Sequence, residues 1–138
     1  MANYIPFART SYFKVKDMDK FMEWTKQFDI EEVWTMEDDE HGILVAMSFG
    51  ENGIPSFTLN KDEEYEDVDF PEEISKHLAE NWAVEIREIG YEKMRYLIGY
   101  TILIRWDGKY IAVNLEDASF QAIADPEWKD VNFTDCEY

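Results

Sequence analysis

The fold is decided by residues 82–115, which read WAVEIREIGYEKMRYLIGYTILIRWDGKYIAVNL. In the middle of this stretch every second residue is apolar: Met94, Tyr96, Ile98, Tyr100, Ile102, Ile104 and Trp106. That period of two predicts a long β-strand with one wholly apolar face. Asp107 and Gly108 then predict a type I′ hairpin turn into a strand over 109–115. A preceding strand over 82–89 completes an antiparallel meander, and one face of that strand holds Trp82, Val84 and Ile86.

The other face of this meander is mixed in character. Its members are Glu85, Arg87, Arg95, Leu97, Leu103 and Arg105. If no helix covers it, such a face suits a homodimer or another protein partner. A solvent-facing sheet with cross-strand ion pairs is the commoner origin of the same pattern.

The first part of the chain supplies a helix and a hairpin. Residues 10–15 are expected to form a first strand, and Asp17 is expected to cap a helix over 18–28. One face of that helix holds Met18, Phe21, Met22, Thr25 and Phe28 at three- and four-residue spacing. Strands over 31–37 and 42–49 follow. The second of them is apolar on both faces, which predicts a central position in the sheet.

A second helix is expected after a break that starts at Gly50. A short strand over 56–59 and an acidic loop come first. Asp69 and Glu72 then have capping-box spacing, with Pro71 in the first turn, and predict a helix that runs to about residue 81. Its buried stripe is expected to be Phe70, Ile74, His77 or Leu78, and Asn81. Near the end of the chain, residues 116–124 predict a short helix that stops at Asp125-Pro126.

Together these elements predict an α+β two-layer sandwich, in which one antiparallel sheet of six or seven strands carries two helices on one face. At 138 residues the chain is expected to form a single α+β domain over 1–138. Residues 126–138 are acidic and are expected to form either an ordered flap or a flexible tail.

Composition excludes several classes of protein for this chain. With 46% hydrophobic and 16% aromatic residues, the chain has enough apolar material for a core despite a net charge of −18. Cys136 is its one cysteine, which excludes an internal disulfide. The first residues lack the basic and apolar regions of a signal peptide. No stretch approaches the roughly 18 apolar residues of a membrane span. We therefore expect a soluble, cytoplasmic protein.

No motif for catalysis or ligand binding is present in the sequence. The two histidines, His41 and His77, belong to no zinc-binding pattern, and no phosphate-cradling or serine-nucleophile motif occurs. Cys136 lies at the chain end, which is a poor place to fix a base beside it. The acidic loop 62–69 lacks the spacing and the glycine of a calcium loop. We therefore expect no enzyme and no catalytic, cofactor-binding or metal-binding residues.

The negative charge is concentrated in two segments. Residues 27–80 hold seventeen acids and two bases, and residues 116–138 hold seven acids and one base. The segments 1–26 and 81–115 have net charges of +2 and +1. This segregation predicts a patch of negative potential that repels nucleic acid and anionic membranes and attracts a basic protein partner. The candidate partner-binding residues are Glu37, Asp38, Asp39, Glu40, Asp62, Glu63, Glu64, Tyr65, Glu66, Asp67 and Asp69.

Three segments resemble parts of small acidic proteins carried by phages and plasmids. They are residues 9–17 (RTSYFKVKD), residues 92–100 (EKMRYLIGY) and Pro55-Ser56-Phe57. The resemblance spans residues 4–113. This family has no assigned activity, so the resemblance gives no residue a role. It implies a mobile-element setting, in which anti-restriction and anti-CRISPR DNA mimics are common.

Two interpretations of the acidity remain. In the first, carboxylates stand in for phosphates in a basic nucleic-acid groove, and the protein inhibits a nuclease, restriction or CRISPR component. Tyr65 and Trp128 are then candidate anchors, whereas Trp34 is expected to pack in the core. In the second, the acids only keep a small protein-interaction or structural protein soluble. An immunity protein that caps a basic toxin would use the same kind of acidic surface as this inhibitor. We predict the inhibitor.

Overall fold

A computed structural model describes residues 4–51, 53–55, 69–92, 96–115 and 117–132. The elements follow in the order β1 (Tyr4–Thr10), α1 (Met18–Thr25), β2 (Glu32–Asp38), β3 (Gly42–Gly50), α2 (Phe70–Ser75), β4 (Ala83–Glu92), β5 (Tyr96–Arg105), β6 (Tyr110–Asn114), α3 (Asp117–Ala124) and a 3-10 helix (Pro126–Trp128). The predicted strand over 56–59 lies outside the described residues.

The six strands form one antiparallel sheet in the order β2-β3-β1-β4-β5-β6. This confirms the predicted α+β class, the meander β4-β5-β6 and the interior position of β3. The sheet therefore consists of a two-stranded hairpin and a three-stranded meander. They are joined by β1, which pairs with β3 on one side and with β4 on the other.

The predicted first strand over 10–15 is wrong. Strand β1 ends at Thr10, and the residues after it make only isolated bridges, Phe13 to Val45 and Val15 to Leu78. The Thr10 hydroxyl accepts a hydrogen bond from the Met47 N–H at 2.9 Å and donates to the Ser11 carbonyl. Because this side chain takes the place of a main-chain partner, the regular ladder stops there.

Both main helices begin where the capping residues predicted. The Asp17 carboxylate accepts a hydrogen bond from the Lys20 N–H at 3.1 Å, and Asp69 accepts one from the Glu72 N–H at 3.3 Å. Both helices end earlier than expected. Asn81 does not extend the buried stripe of α2, because it is exposed and has a φ of 68°. Asparagine is one of the few residues that tolerate this left-handed conformation.

One hydrophobic cluster joins the two helices to the sheet. Trp24 of α1 stacks on Phe70 of α2 at 5.3 Å between ring centroids, and Phe70 contacts Phe49 of β3 at 5.4 Å. The strand residues of this cluster include Val45, Met47, Phe49, Val84, Ile86 and Ile104. We call the sheet face that bears these side chains the inner face, and the opposite one the outer face.

The turn between β5 and β6 differs from the predicted type I′ turn. That turn needs positive φ at two central residues, but of Asp107 and Gly108 only Gly108 has a positive φ, of 88°. The Gly108 N–H donates to the Arg105 carbonyl at 3.0 Å, and the Arg105 N–H donates to the Lys109 carbonyl at 2.8 Å. The loop therefore has three residues, and glycine supplies the left-handed position that closes it.

The last described elements follow the prediction closely. Helix α3 lies within the predicted 116–124 and ends before Asp125-Pro126. The Asp125 carboxylate then accepts a hydrogen bond from the Glu127 N–H at 3.0 Å and begins the 3-10 helix. The start of the predicted tail is thus helical, and residues 133–138 lie outside the described residues.

Candidate acidic interface

The turn between β2 and β3 carries four of the predicted site residues. We call residues 37–41 the hairpin tip. Glu37, Asp39 and Glu40 are exposed. Asp38 is half-buried and has a local structural role, because its carboxylate accepts a hydrogen bond from the His41 N–H at 3.1 Å. The tip therefore presents three carboxylates to solvent and uses the fourth to shape the turn.

A ring contact holds the hairpin tip against the rest of the protein. The His41 imidazole meets the Trp82 indole edge to face, with 5.0 Å between centroids. Its Nε2 atom lies 3.5 Å from the Glu40 carboxylate. The tip is thus fixed both by the β2-β3 ladder and by the residue that precedes β4.

Asp69 lies elsewhere, in a cleft of about 640 Å³ between the start of α2 and the β5-β6 turn. Glu72 from the helix, and Asp107 and Lys109 from the turn, also line this cleft. Asp107 is paired with Arg105 at 2.8 Å. Asp69 itself is exposed, and its carboxylate caps α2. This predicted site residue therefore also has a structural role.

The remaining predicted site residues lie outside the described residues. They are Asp62, Glu63, Glu64, Tyr65, Glu66 and Asp67. The structure therefore brings four members of the predicted set together at the hairpin tip and shows a fifth, Asp69, in the cleft beside α2.

Few acids of the segment 27–80 are neutralised by a neighbour. Among the described residues of this segment, two carboxylates lie within 4 Å of a basic side chain: Glu73 beside Lys76 at 3.2 Å, and Glu40 beside His41. The Glu73–Lys76 pair is itself solvent-exposed, and such pairs neutralise little. The described acids without a basic neighbour are Asp29, Glu31, Glu32, Glu37, Asp38, Asp39, Glu51, Asp69, Glu72 and Glu80.

Trp34 does not pack in the core as expected. It is half-buried and lies on the outer face, opposite Ala46 of β3. Its Nε1–H donates to the Tyr12 hydroxyl at 2.6 Å, and the Arg9 guanidinium lies 5.3 Å from its ring. The small Ala46 side chain leaves room for the indole to cover the outer face of the β2-β3 hairpin.

His77 packs beside aromatic rings at the edge of the core. Its ring centroid is 4.6 Å from that of Trp24. Burial lowers the pKa of His77, and Lys16 and Lys76 lower it further, while Glu73 opposes the shift. Its contacts with the Trp24 and Phe21 rings fit a packing role.

Glu88 is a buried carboxylate that sequence reasoning missed. It accepts a hydrogen bond from the Ile54 N–H at 2.9 Å and so fastens the segment after β3 to β4. A side chain at Gly53 would clash with this carboxylate. The available signal was its position on β4, two residues after Ile86 on the apolar face of the strand.

Comparison of the sequence with protein-family models and with curated proteins, and of the structure with solved structures, gave no match. In the part of the chain that the structure describes, no group of three or more His, Cys, Asp or Glu side chains is placed to hold a metal ion. No helix in that part is long and apolar enough to cross a membrane.

Proposed function

We propose that this protein is a non-enzymatic inhibitor that binds the basic nucleic-acid-binding surface of a nuclease, restriction or CRISPR component, with carboxylates in place of phosphates. One observation carries the proposal: seventeen acids and two bases lie in residues 27–80, and few of the described acids there have a basic neighbour. Such carboxylates remain available to an external cation.

The physics of phosphate recognition supports this choice of partner. Proteins that bind nucleic acid place Lys and Arg along the phosphate backbone, and their affinity falls as salt rises because counterions are released on binding. An acidic surface that occupies the same groove is expected to share this salt dependence and to exclude the nucleic acid. The hairpin tip suits the role because its contact with Trp82 reduces the cost of ordering it on binding.

The test is capture of partners from a bacterial lysate at low and at high salt, followed by identification of the captured proteins. We expect stoichiometric, salt-sensitive capture of one basic nucleic-acid-binding protein, and we expect the acidic protein to displace duplex DNA from it. Capture of a toxin would favour the immunity-protein alternative. The proposal would be overturned if no basic protein were captured at low salt.

A matched pair of variants tests the hairpin tip directly. Asp39→Asn with Glu40→Gln removes two charges from the tip. Asp19→Asn with Glu23→Gln removes the same two charge types from α1, in the segment whose net charge is +2. We expect capture to weaken in the tip variant and to stay near wild type in the control. Equal capture by both would show that the position of the charge does not matter.

A second variant addresses the predicted loop. Neutral residues in place of Glu63, Glu64, Glu66 and Asp67 are expected to weaken capture without unfolding the domain. Unchanged capture would remove this loop from the proposed interface.

A protein-interaction role in which the acidity only confers solubility is the second candidate. The observation that favours it is the exposed apolar surface on the outer face of the meander, where Ile89 and Leu97 face solvent. The two roles are compatible, because this surface does not include the hairpin tip.

A further inference from the structure

The outer face of β1, β4, β5 and β6 carries exposed apolar side chains among a few charged ones. The strand register places Phe7 opposite Ile89, and Ile111 opposite Leu103, on this face. Directly opposed residues of antiparallel strands share a face, so the side chains of each pair lie next to each other. We call six apolar members of this face, which are between 39% and 66% exposed, the outer patch: Phe7, Ile89, Leu97, Leu103, Ile111 and Leu115.

The exposure of the outer patch is that of an interaction surface. Apolar residues that are exposed singly are normal, whereas neighbouring exposed apolar residues mark sites of protein interaction. The six members are each 39–66% exposed, and opposed pairs of them adjoin across the strands. The outer patch therefore has the character of one side of an interface.

The C-terminal helices of the chain form the complementary part. We call residues 117–131, which comprise α3 and the 3-10 helix, the arm. No residue of either helix is buried, and the exposed apolar side chains of the arm are Phe120, Ile123, Trp128 and Val131. A helix of eight residues is not stable by itself in water, so α3 requires a surface on which to pack.

Charge complementarity assigns the arm to the outer face. The arm holds Asp117, Asp125, Glu127 and Asp130 against Lys129, a net charge of −3. The described charged residues on the outer face of β1, β4 and β5 are Arg9, Arg87 and Arg105 against Glu85. Glu85 pairs with Arg87 at 2.6 Å and Asp107 of the β5-β6 turn pairs with Arg105 at 2.8 Å, so the net charge including this turn residue is +1. Contact between two outer faces would bring like charges together, whereas contact between an arm and an outer face pairs opposite charges.

The connection to β6 favours an arm from a second copy. Two residues separate β6 from α3, and the Asn114 N–H donates to the Asp117 carboxylate at 2.8 Å. Leu115 already lies on the outer face, where its N–H donates to the Gly99 carbonyl at 3.0 Å. These bonds fix the direction in which the arm leaves its own sheet, and in that direction none of its helical residues is buried.

We propose that this protein is an arm-exchanged homodimer, in which the arm of each copy packs on the outer patch of the other. The two contacts are equivalent and are related by a twofold axis, which closes the assembly at two copies. This proposal goes beyond the inhibitor function and does not depend on it, because the outer patch and the arm do not include the hairpin tip.

The test measures the mass of the full chain by size-exclusion chromatography with light scattering over a range of concentrations. The face variant is Leu97→Gln with Ile111→Gln, and the arm variant is Phe120→Gln with Ile123→Gln. The control, Met36→Gln with Ile43→Gln, changes two exposed apolar residues on the β2-β3 hairpin. We expect a dimer for wild type and control. For both other variants we expect a dissociation constant raised at least about tenfold, because each variant places two polar amides in an apolar contact.

Mixing the two weakened variants distinguishes exchange from other arrangements. The arm variant keeps an intact outer patch and the face variant keeps an intact arm, so an exchanged heterodimer regains one complete contact. We expect the equimolar mixture to form more dimer than either variant alone. Circular dichroism of each variant checks that the substituted chains remain folded.

Three outcomes would overturn the proposal. A monomeric wild type at all concentrations would mean that the arm packs on its own sheet or on a different partner. A dimer that survives the arm substitutions would mean that two outer faces pack directly on each other. Absence of recovery in the mixture would exclude exchange. None of these outcomes bears on capture of a basic protein, so the two proposals fail separately.

Discussion

The two faces of β4 and β5 differ in how far their apolar side chains are covered. On the inner face Val84 and Ile86 are completely buried, whereas on the outer face Ile89 and Leu97 are 62% and 60% exposed. Strands that are buried on both faces carry apolar residues on both. The described helices α1 and α2 contribute to the inner cluster alone. The apolar side chains of the outer face are therefore exposed in the single chain, and the proposed dimer would cover them.

The largest expected difference in stability comes from the same substitution made on each face of β4. Ile86→Ala removes a buried side chain and is expected to lower the free energy of unfolding by about 2–5 kcal/mol. Ile89→Ala removes a side chain that is exposed in the monomer, and at concentrations where the chain is monomeric we expect a change within about 0.5 kcal/mol. Urea unfolding followed by tryptophan fluorescence measures both.

The dependence on protein concentration then distinguishes burial of the outer face within one chain from its burial against a second copy. In an exchanged dimer, Ile89→Ala is expected to destabilise the wild-type fold more at high concentration, because stability includes association. The cost of Ile86→Ala should not depend on concentration in this way. An equal cost at both concentrations for Ile89→Ala would contradict the assignment of this residue to an interface.

The short helix α2 helps to cover the inner face of the sheet. Loss of its N-terminal cap is expected to have a smaller effect on stability. Asp69→Ala removes the carboxylate that accepts the Glu72 N–H and is expected to cost about 0.5–2 kcal/mol. Asp69→Asn keeps a capping oxygen and should stay close to wild type in thermal unfolding. If both variants were equally destabilised, the charge at this position, and not the cap, would be the important feature.

On the outer face, the β2-β3 hairpin is partly covered by Trp34, which packs beside Tyr12 and Arg9. Tyr12→Phe removes the acceptor of the Trp34 Nε1–H bond. Because Trp34 is half-buried and partly reached by water, we expect a loss of only about 0.5–1 kcal/mol. Chemical denaturation of Tyr12→Phe measures the loss. No change would mean that water replaces the hydroxyl fully.

The smallest expected effect is a pH dependence of the unfolding free energy that arises from His77 at the edge of the core. Burial lowers the pKa of His77 below its usual 6.5, so the unfolded chain takes up a proton more readily than the folded one. Stability from this residue is therefore complete above pH 6.5 and is lost as the pH falls below it. His77→Gln should show a weaker fall in unfolding free energy between about pH 7 and pH 5.5. Identical pH profiles would exclude a contribution from His77.

Part of this structure was predictable because it depends on neighbours in the sequence. The alternation in β4 and β5, the caps at Asp17 and Asp69 and the strand pair β2-β3 follow from local periodicity, local hydrogen bonds and turn residues. The acidic character of the candidate interface was equally visible, since net charge and its distribution along the chain are properties of composition.

The rest was decided by contacts between distant residues. Strand β1 contains Pro6, which is unfavourable inside a sheet, and only its pairing with β3 and β4 makes it a central strand. The sequence does not indicate which face Trp34 occupies. An alternating pattern shows that a strand has two faces, but it does not show which of them the helices cover. For the same reason the sequence by itself determined that the meander has two partly apolar faces, and only the tertiary structure decided that the outer one is left open.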